Sequence, residues 1–399
     1  MSGPLAGVRV VELGIWVAGP AAACVLADWG ADVVKVEAPG GDPQRAFSAT
    51  LGDTAVNPTF EASNRGKRGV VLDLRSPEGA ARMRDLLARA DVFVTNLRVP
   101  ALERLGLAYE ALAGPYPRLV YALLTAHGLD GPDRDAPGYD VGSYWSRAGI
   151  AAQLAAPGGP PPMPRGGMGD RPAGMALAAA VCAALYARER GGRGQLVTTS
   201  LLRQGAFTLA SDLTSVLRTG AAMPVMTRET MPNPLVNPYR AADGSWFWLL
   251  GLESGRHWPA LLAALGDPPW AAGFPTPAVR ATRRAELTAL LDAEFARLPR
   301  AGWAERFAAA GVWWSPVQTV EEVLADPQVR ASGAILGDVV AGPCDFSADV
   351  CAPGRTAPRL GQHTDEVLAE LGHGETRGTG AGGSGAGGSG SGARERGPG

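Results

Sequence analysis

The stretch Val8–Glu37, VRVVELGIWVAGPAAACVLADWGADVVKVE, decides the fold. Val8–Leu13 is a short apolar strand, and Asp32–Glu37 returns as a second one. Between them, Ala18-Gly19-Pro20 leads into a helical stretch, Ala21–Trp29. Pro20 suits the first turn of a helix, and Gly19 allows backbone to approach closely. The alternation continues through Val70–Asp73, Pro77–Arg89, Val92–Asn96 and Leu119–Leu124. That order predicts an α/β fold, a parallel sheet covered by helices on both faces.

Further along, residues 155–169 are rich in Pro and Gly and end in the loop Gly166-Gly167-Met168-Gly169. Asp170 follows, then Pro172 and the apolar run Ala173–Ala187, which closes at Gly191-Gly192. This is a helix with a proper stop signal. Two readings of Asp170 stand side by side: a helix N-cap, or a nucleophilic carboxylate on a flexible loop. In either case the positive end of the helix favours the ionised form. Gln195–Ser200 reads as another strand and Leu201–Leu217 as a helix.

Pro and Asn at 231–238 break the pattern, and residues 225–325 read as a second, smaller α+β domain. Its signals are a strand at Trp246–Leu250 and helices around Trp258–Leu265 and Arg283–Leu298. Residues 1–224 form the first part of the large domain, and 326–373 return to it. Residues 374–399, Gly/Ser-rich, read as a disordered tail. Gly380, Gly382 and Gly385 match GxGxxG there, but no strand precedes them, so the match carries no meaning.

Composition narrows the classes. The chain has 399 residues, 46% hydrophobic and 19% charged, with net charge −2. Nothing in that balance supports a nucleic-acid or membrane partner. The longest apolar run is too short for a membrane span, which takes about 20 residues. No secretory signal is apparent, and four cysteines without CxxC spacing fit a cytoplasmic setting. The four histidines show no metal-ligand spacing, so no metal is expected. Lysine occurs only at Lys35 and Lys67. There is no Walker A loop, no dinucleotide fingerprint after the first strand, no HExxH and no GxSxG elbow.

What remains is an ordered set of motifs. Besides Val8–Glu37 it comprises NRGKRGVVLDL at Asn64–Leu74, NLRVPALERLG at Asn96–Gly106 and LLTAHGLDGP at Leu123–Pro132 with Tyr139-Asp140. The GMGD loop, Arg188–Gln195, Asn237-Pro238-Tyr239-Arg240 and LGQHTDEVLAELG at Leu360–Gly372 complete it. Taken in this order, residues 5–373 resemble the class III CoA-transferase family. That family includes formyl-CoA, carnitine and bile-acid CoA-transferases together with the α-methylacyl-CoA racemases.

The resemblance implies a Rossmann-like large domain built from both chain ends, a small domain, and two chains interlocked as a homodimer. It implies no bound cofactor; a CoA thioester is the substrate, and a carboxylic acid accepts the CoA. It makes Asp170 the nucleophile, passing through a mixed anhydride and an aspartyl-CoA thioester. Amide groups of the glycine loop, Gly169 among them, or of a helix start are expected to steady the tetrahedral intermediates. CoA contacts are expected at Trp16, Val17, Ala18, Arg104 and Tyr139, with Arg98 nearby and Arg65, Lys67 and Arg68 as a cationic cluster for phosphates. That cluster also reads as a solvated charged turn. Where formyl-CoA transferases carry an arginine after the Val-Glu strand end, this chain has Ala38, with Arg45 as a candidate replacement.

Tyr139 occupies the position where racemases of the family carry a histidine, which favours transfer over α-proton exchange; packing in the core is its plainer role. Glu253 resembles the glutamate that supports the racemase histidine, and its plainer role is a surface residue. Trp145, Trp246, Trp248, Trp258, Trp313 and Trp314 are candidates for an acyl pocket or for the core. The rivals to a transferase are an acyl-CoA racemase and a CoA-binding protein without turnover.

Overall fold

Six strands carry the main sheet: β1 (Arg9–Leu13), β2 (Asp32–Glu37), β3 (Arg68–Val71), β4 (Val92–Thr95), β5 (Val120–Thr125) and β6 (Leu196–Ser200). The computed structural model describes residues 3–51, 57–349, 351 and 356–372. The strand order is β3-β2-β1-β4-β5-β6 and every pairing is parallel. Because helices cover both faces, strands such as β5 (VYALLT) are buried at every position.

Alternate residues feed two cores. Val10 and Val33 face one with Ala22, Leu177 and Val181, from helices Ala18–Asp28 and Asp170–Gly191. Val11 and Val34 face the other with Met83, Leu86 and Leu102, from helices Pro77–Ala88 and Val99–Arg104. Val367 of the C-terminal helix Thr364–Glu370 joins this second core. That helix docks on the edge strand: His363 N–H donates to Gly69 O at 2.9 Å, and Val71 N–H donates to Thr364 Oγ1 at 3.1 Å. The two ends of the described chain therefore meet on one sheet.

A third core lies between Leu235 and Phe307. It packs under an antiparallel sheet of β7 (Pro238–Arg240), β8 (Trp246–Leu249) and β9 (Trp314–Pro316). Phe247, Phe295, Trp303 and Phe307 meet there edge to face or stacked, with centroids 5.0 to 6.0 Å apart.

Some expectations shift. The first helix begins at Ala18, so Ala18-Gly19-Pro20 is its first turn rather than a lead-in. The helix expected over Leu201–Leu217 is two, Leu201–Thr208 and Ala210–Thr219, broken where Leu209 leaves helical geometry at ψ 26°. Strand β3 ends at Val71, and Asp73 already lies in the turn that caps the next helix through Ser76. Val141–Arg147 forms a π-helix that no sequence signal announced. The tail 374–399 and His373 lie outside the described residues. Among those residues no helix is long and apolar enough to cross a membrane, and no cluster of three or more His, Cys, Asp or Glu is placed to hold a metal ion.

Candidate active site

The strand order reverses between β1 and β4, so the loops leaving their carboxyl ends diverge and open a crevice. A cavity of about 310 Å³ sits there, walled by Ile15–Ala18, Asn96–Val99, Tyr139 and Asp170. The loop after β1 and the glycine loop before Asp170 are held by side chains that reach them from elsewhere in the sequence.

Asn96 clamps the loop after β1: its carboxamide accepts from Ile15 N–H at 2.9 Å and donates to Ile15 O at 2.8 Å. A Cβ on Gly19 would stand 2.8 Å from that carboxamide, so only glycine lets the helix begin this close. Trp16 then takes a left-handed conformation, φ 62°, while its N–H donates to Asp42 Oδ1 at 3.0 Å. Such a backbone costs a bulky residue roughly 1–2 kcal/mol and persists only where the surroundings enforce it. The Trp16 ring meets Tyr139 edge to face at 5.9 Å.

Asp170 enters from the opposite wall, as the first residue of helix Asp170–Gly191. Helix Ala18–Asp28 crosses that helix with almost no side chain between them. A Cβ on Gly174 would lie 2.9 Å from both Ala18 O and Ala22 N. The alanine-rich sequence of both helices is the local cause, and it sets Asp170 beside the start of the other helix.

The N-cap of this helix is Gly169, without a side-chain cap, so the capping role considered for Asp170 is corrected: its carboxylate is not spent on its own helix. Instead Asp140 holds the glycine loop. Its buried carboxylate accepts from Gly167 N–H at 2.8 Å and Gly169 N–H at 3.0 Å. A Cβ on Gly169 would stand 2.3 Å from Asp140 Oδ1 and 2.4 Å from the Tyr144 ring, so glycine is required there. The expectation that the Gly169 amide serves an oxyanion is thereby revised, since Asp140 already takes its hydrogen. Ala18 and Gly19, at the start of the facing helix, have amide N–H groups with no partner among the described residues. That helix start is the better donor set.

The ionisation of Asp170 also differs from expectation. Burial, and then the charge of Asp140, push its carboxyl up to about 7; Arg171 opposes them less strongly. A helix N-terminus favours a carboxylate by about 0.3–1 kcal/mol when exposed, which is too little to win here. Asp140 is itself raised by burial, against the loop amides that lower it.

The remaining candidates divide. Val17 and Ala18 line the crevice with Trp16, and Arg98, exposed, stands on its rim. Arg134, which sequence reasoning did not single out, lines it too. Arg104 ends its helix in solvent and is not part of the wall. Tyr139 is 62% exposed, which corrects the core-packing role. Arg65, Lys67 and Arg68 are committed inside the fold: Arg65 to Asp28 at 2.5 Å, Lys67 to Glu12 at 2.6 Å, Arg68 to Asp32 at 2.6 Å. Lys67 is wholly buried, so neither a phosphate cluster nor a solvated turn describes the group. Arg45 grips Glu37 with two hydrogen bonds of 2.7 Å and covers the Phe60 ring, so it does not stand in at Ala38. Glu253 is exposed at the N-cap of helix Ser254–Leu265, 3.4 Å from Arg256, and lines no part of the crevice. Of the six tryptophans considered for an acyl pocket, Trp145 and Trp258 lie in cores, Trp314 packs partly buried against the third core, and Trp246, Trp248 and Trp313 are exposed; none of the six lines the crevice.

Asp140, Asn96 and Asp42, whose side chains hold the loops around the crevice, are the residues that sequence reasoning missed. The first two sit inside quoted motifs, but their roles depend on loops far away in the chain.

With this geometry in view, comparison with known proteins is informative. Residues 5–364 match the model of CoA-transferase family III. The chain is 32% identical to (R)-2-hydroxy-4-methylpentanoate CoA-transferase of Clostridioides difficile, over 94% of this chain and 96% of that one. It is 31% identical to cinnamoyl-CoA:phenyllactate CoA-transferase of Clostridium sporogenes, over 92% and 93% of the two chains. A crystal structure of a CAIB/BAIF family protein from Brucella suis superposes with a TM-score of 0.85 at 32% identity, over 93% of this chain and all of the other. The chain belongs to CoA-transferase family III.

Proposed function

We propose that this transferase, which moves CoA between an acyl-CoA and a carboxylic acid, works through covalent intermediates on Asp170. The carboxylate attacks the thioester carbonyl; the C–S bond breaks, CoA leaves as thiolate and a mixed anhydride remains. The thiolate attacks the aspartyl carbonyl, the first acid leaves as carboxylate, and an aspartyl-CoA thioester forms. The acceptor carboxylate then attacks that thioester, giving a second mixed anhydride and thiolate. Attack of the thiolate on the acceptor's acyl carbon releases the new acyl-CoA and restores Asp170. No net proton is needed, and each oxyanion lies near the unpartnered amides at the start of helix Ala18–Asp28.

The observation that carries this reading is the place of Asp170: an uncapped carboxylate in the crevice at the switch point of the sheet, facing a helix N-terminus. Arg98 and Arg134 are the cations we assign to the CoA phosphates. Tyr139 is a wall residue for the thioester end. Mass spectrometry after incubation with a panel of acyl-CoAs tests the mechanism. Adducts of acyl and of CoA mass on Asp170 are expected, and Asp170→Ala should bind CoA without forming them. Unmodified Asp170 under turnover would overturn the mechanism.

A cytoplasmic homodimer is the assembly we propose. Helix Ala210–Thr219 buries no residue in the single chain, yet it presents Leu213, Val216 and Leu217, the last 82% exposed. An exposed apolar face of this kind marks an interaction surface, and we assign it to a second copy of the chain. Light scattering should give twice the chain mass; a monomer at micromolar concentration would refute the assembly.

A further inference from the structure

The chain's only two lysines are both wholly buried, and they meet on one carboxylate. Glu12 in β1 and Lys35 in β2 are register partners across the sheet. Lys35 Nζ donates to Glu12 Oε1 at 3.0 Å, to Asp42 Oδ2 at 3.1 Å and to Gly14 O at 2.9 Å. Lys67 Nζ lies 2.6 Å from Glu12 Oε2 and donates to Pro20 O at 2.8 Å. Asp42 Oδ1 accepts from Trp16 N–H and from Gln44 N–H, both at 3.0 Å. Asp42 N–H is in turn fixed by Glu37 Oε2 at 2.9 Å.

Burying four charges is expensive, and well-packed apolar residues would stabilise a sheet as well or better. This network instead ends on the backbone of the crevice wall. It grips the carbonyl of Gly14, the N–H of Trp16 and the carbonyl of Pro20, three points that bracket the turn from β1 into helix Ala18–Asp28. Trp16 at φ 62° is one of two non-glycine residues with positive φ among the described residues. Its N–H donates to Asp42 Oδ1, the oxygen of that carboxylate that Lys35 does not engage.

We propose that Asp42, locked by Lys35, is a positioning residue for CoA binding: it holds Trp16 left-handed, so that the ring stands against Tyr139 and walls the crevice. The assignment rests on the crevice being the CoA site. It also makes Glu12 and Lys67 the rear anchor of the same wall.

The test is a double-mutant cycle read by calorimetric binding of free coenzyme A, with thermal melting as a check of folding. Asp42→Ala should weaken CoA binding by roughly tenfold or more, a change of about 1.4 kcal/mol per decade. Asp42→Asn keeps an acceptor for Trp16 N–H but turns a donor amide toward Lys35 Nζ, so its loss should fall between wild type and Asp42→Ala on the same scale. Trp16→Gly accepts positive φ without help, so adding Asp42→Ala to it should cost less than about threefold more, the non-additivity of residues acting through one another. Should Asp42→Ala not fold, Asp42→Ser, too short to reach Trp16 N–H, takes its place. Unchanged affinity in the folded Ala or Ser variant, or losses that multiply in the double variant, would overturn the assignment. Binding needs no turnover, so a wild type that binds CoA yet exchanges none refutes the covalent mechanism and leaves this cycle readable.

Discussion

Replacing Asp170 with asparagine should stabilise the protein by an amount that grows as pH rises from about 4 and levels off above about 7. The folded carboxyl sits at about 7 against an ordinary 3.8, which corresponds to about 4 kcal/mol in favour of its protonated form. The unfolded chain releases that proton near pH 4. Between the two values the folded state binds more protons, so stability falls as pH rises; the advantage is complete below 3.8 and lost as pH passes through about 7. Asparagine escapes this loss. Between about pH 5 and about pH 8.5 the difference between variant and wild type should grow by about 3 kcal/mol. With an unfolding entropy of roughly 2.1 cal/mol/K per residue over 399 residues, that becomes a gain in relative Tm of roughly 4 °C. Melting curves of both proteins across this range measure it. A difference that stays flat with pH would mean that Asp170 is ionised throughout, as a plain helix N-terminus would have it. A variant less stable than wild type at high pH would refute the reasoning altogether.

Other perturbations follow from the same geometry. In the proposed mechanism acylation of Asp170 needs the carboxylate, so single-turnover rates should rise with pH to a plateau above about 7. Asp140→Asn should move that midpoint down, though not to the ordinary value, because burial is the larger cause and remains. Gly169→Ala drives a Cβ into Asp140 Oδ1 and the Tyr144 ring; a loss of about 1–3 kcal/mol in denaturant stability is expected, with slower acylation. An unaltered Gly169→Ala protein would show that the loop is not pinned. Arg98→Ala and Arg134→Ala should each raise KM for acyl-CoA by roughly three- to tenfold with kcat little changed, the sign of lost uniform binding. An effect confined to kcat would place those arginines elsewhere in the reaction.

The strand–helix–strand opening was legible because its signal is local: both faces of β1 and β2 are buried, so the apolar pattern survives in any tertiary context. The same pattern held a clue that local reading passes over. Glu12 and Lys35 interrupt otherwise apolar strands, and a charge at such a position must find a partner inside. Their register pairing supplies it and draws in Lys67, whose neighbours Arg65 and Arg68 made it look like part of a solvated turn. Asp140 was harder to read. It sits 29 residues before Gly169, and nothing near it indicates that its carboxylate will close on that amide.

Asp170 shows why this matters for chemistry. Its helix position favours ionisation by about 0.3–1 kcal/mol, whereas burial and Asp140 oppose it by about 4 kcal/mol. The free carboxylate is therefore the strained form in the resting crevice. Both covalent forms of the proposed mechanism, anhydride and thioester, carry no charge on the aspartyl carbonyl, so acylation would relieve the repulsion from Asp140 that ionisation creates. Part of the cost of forming the proposed anhydride is thereby offset in advance by burial and, secondarily, by Asp140.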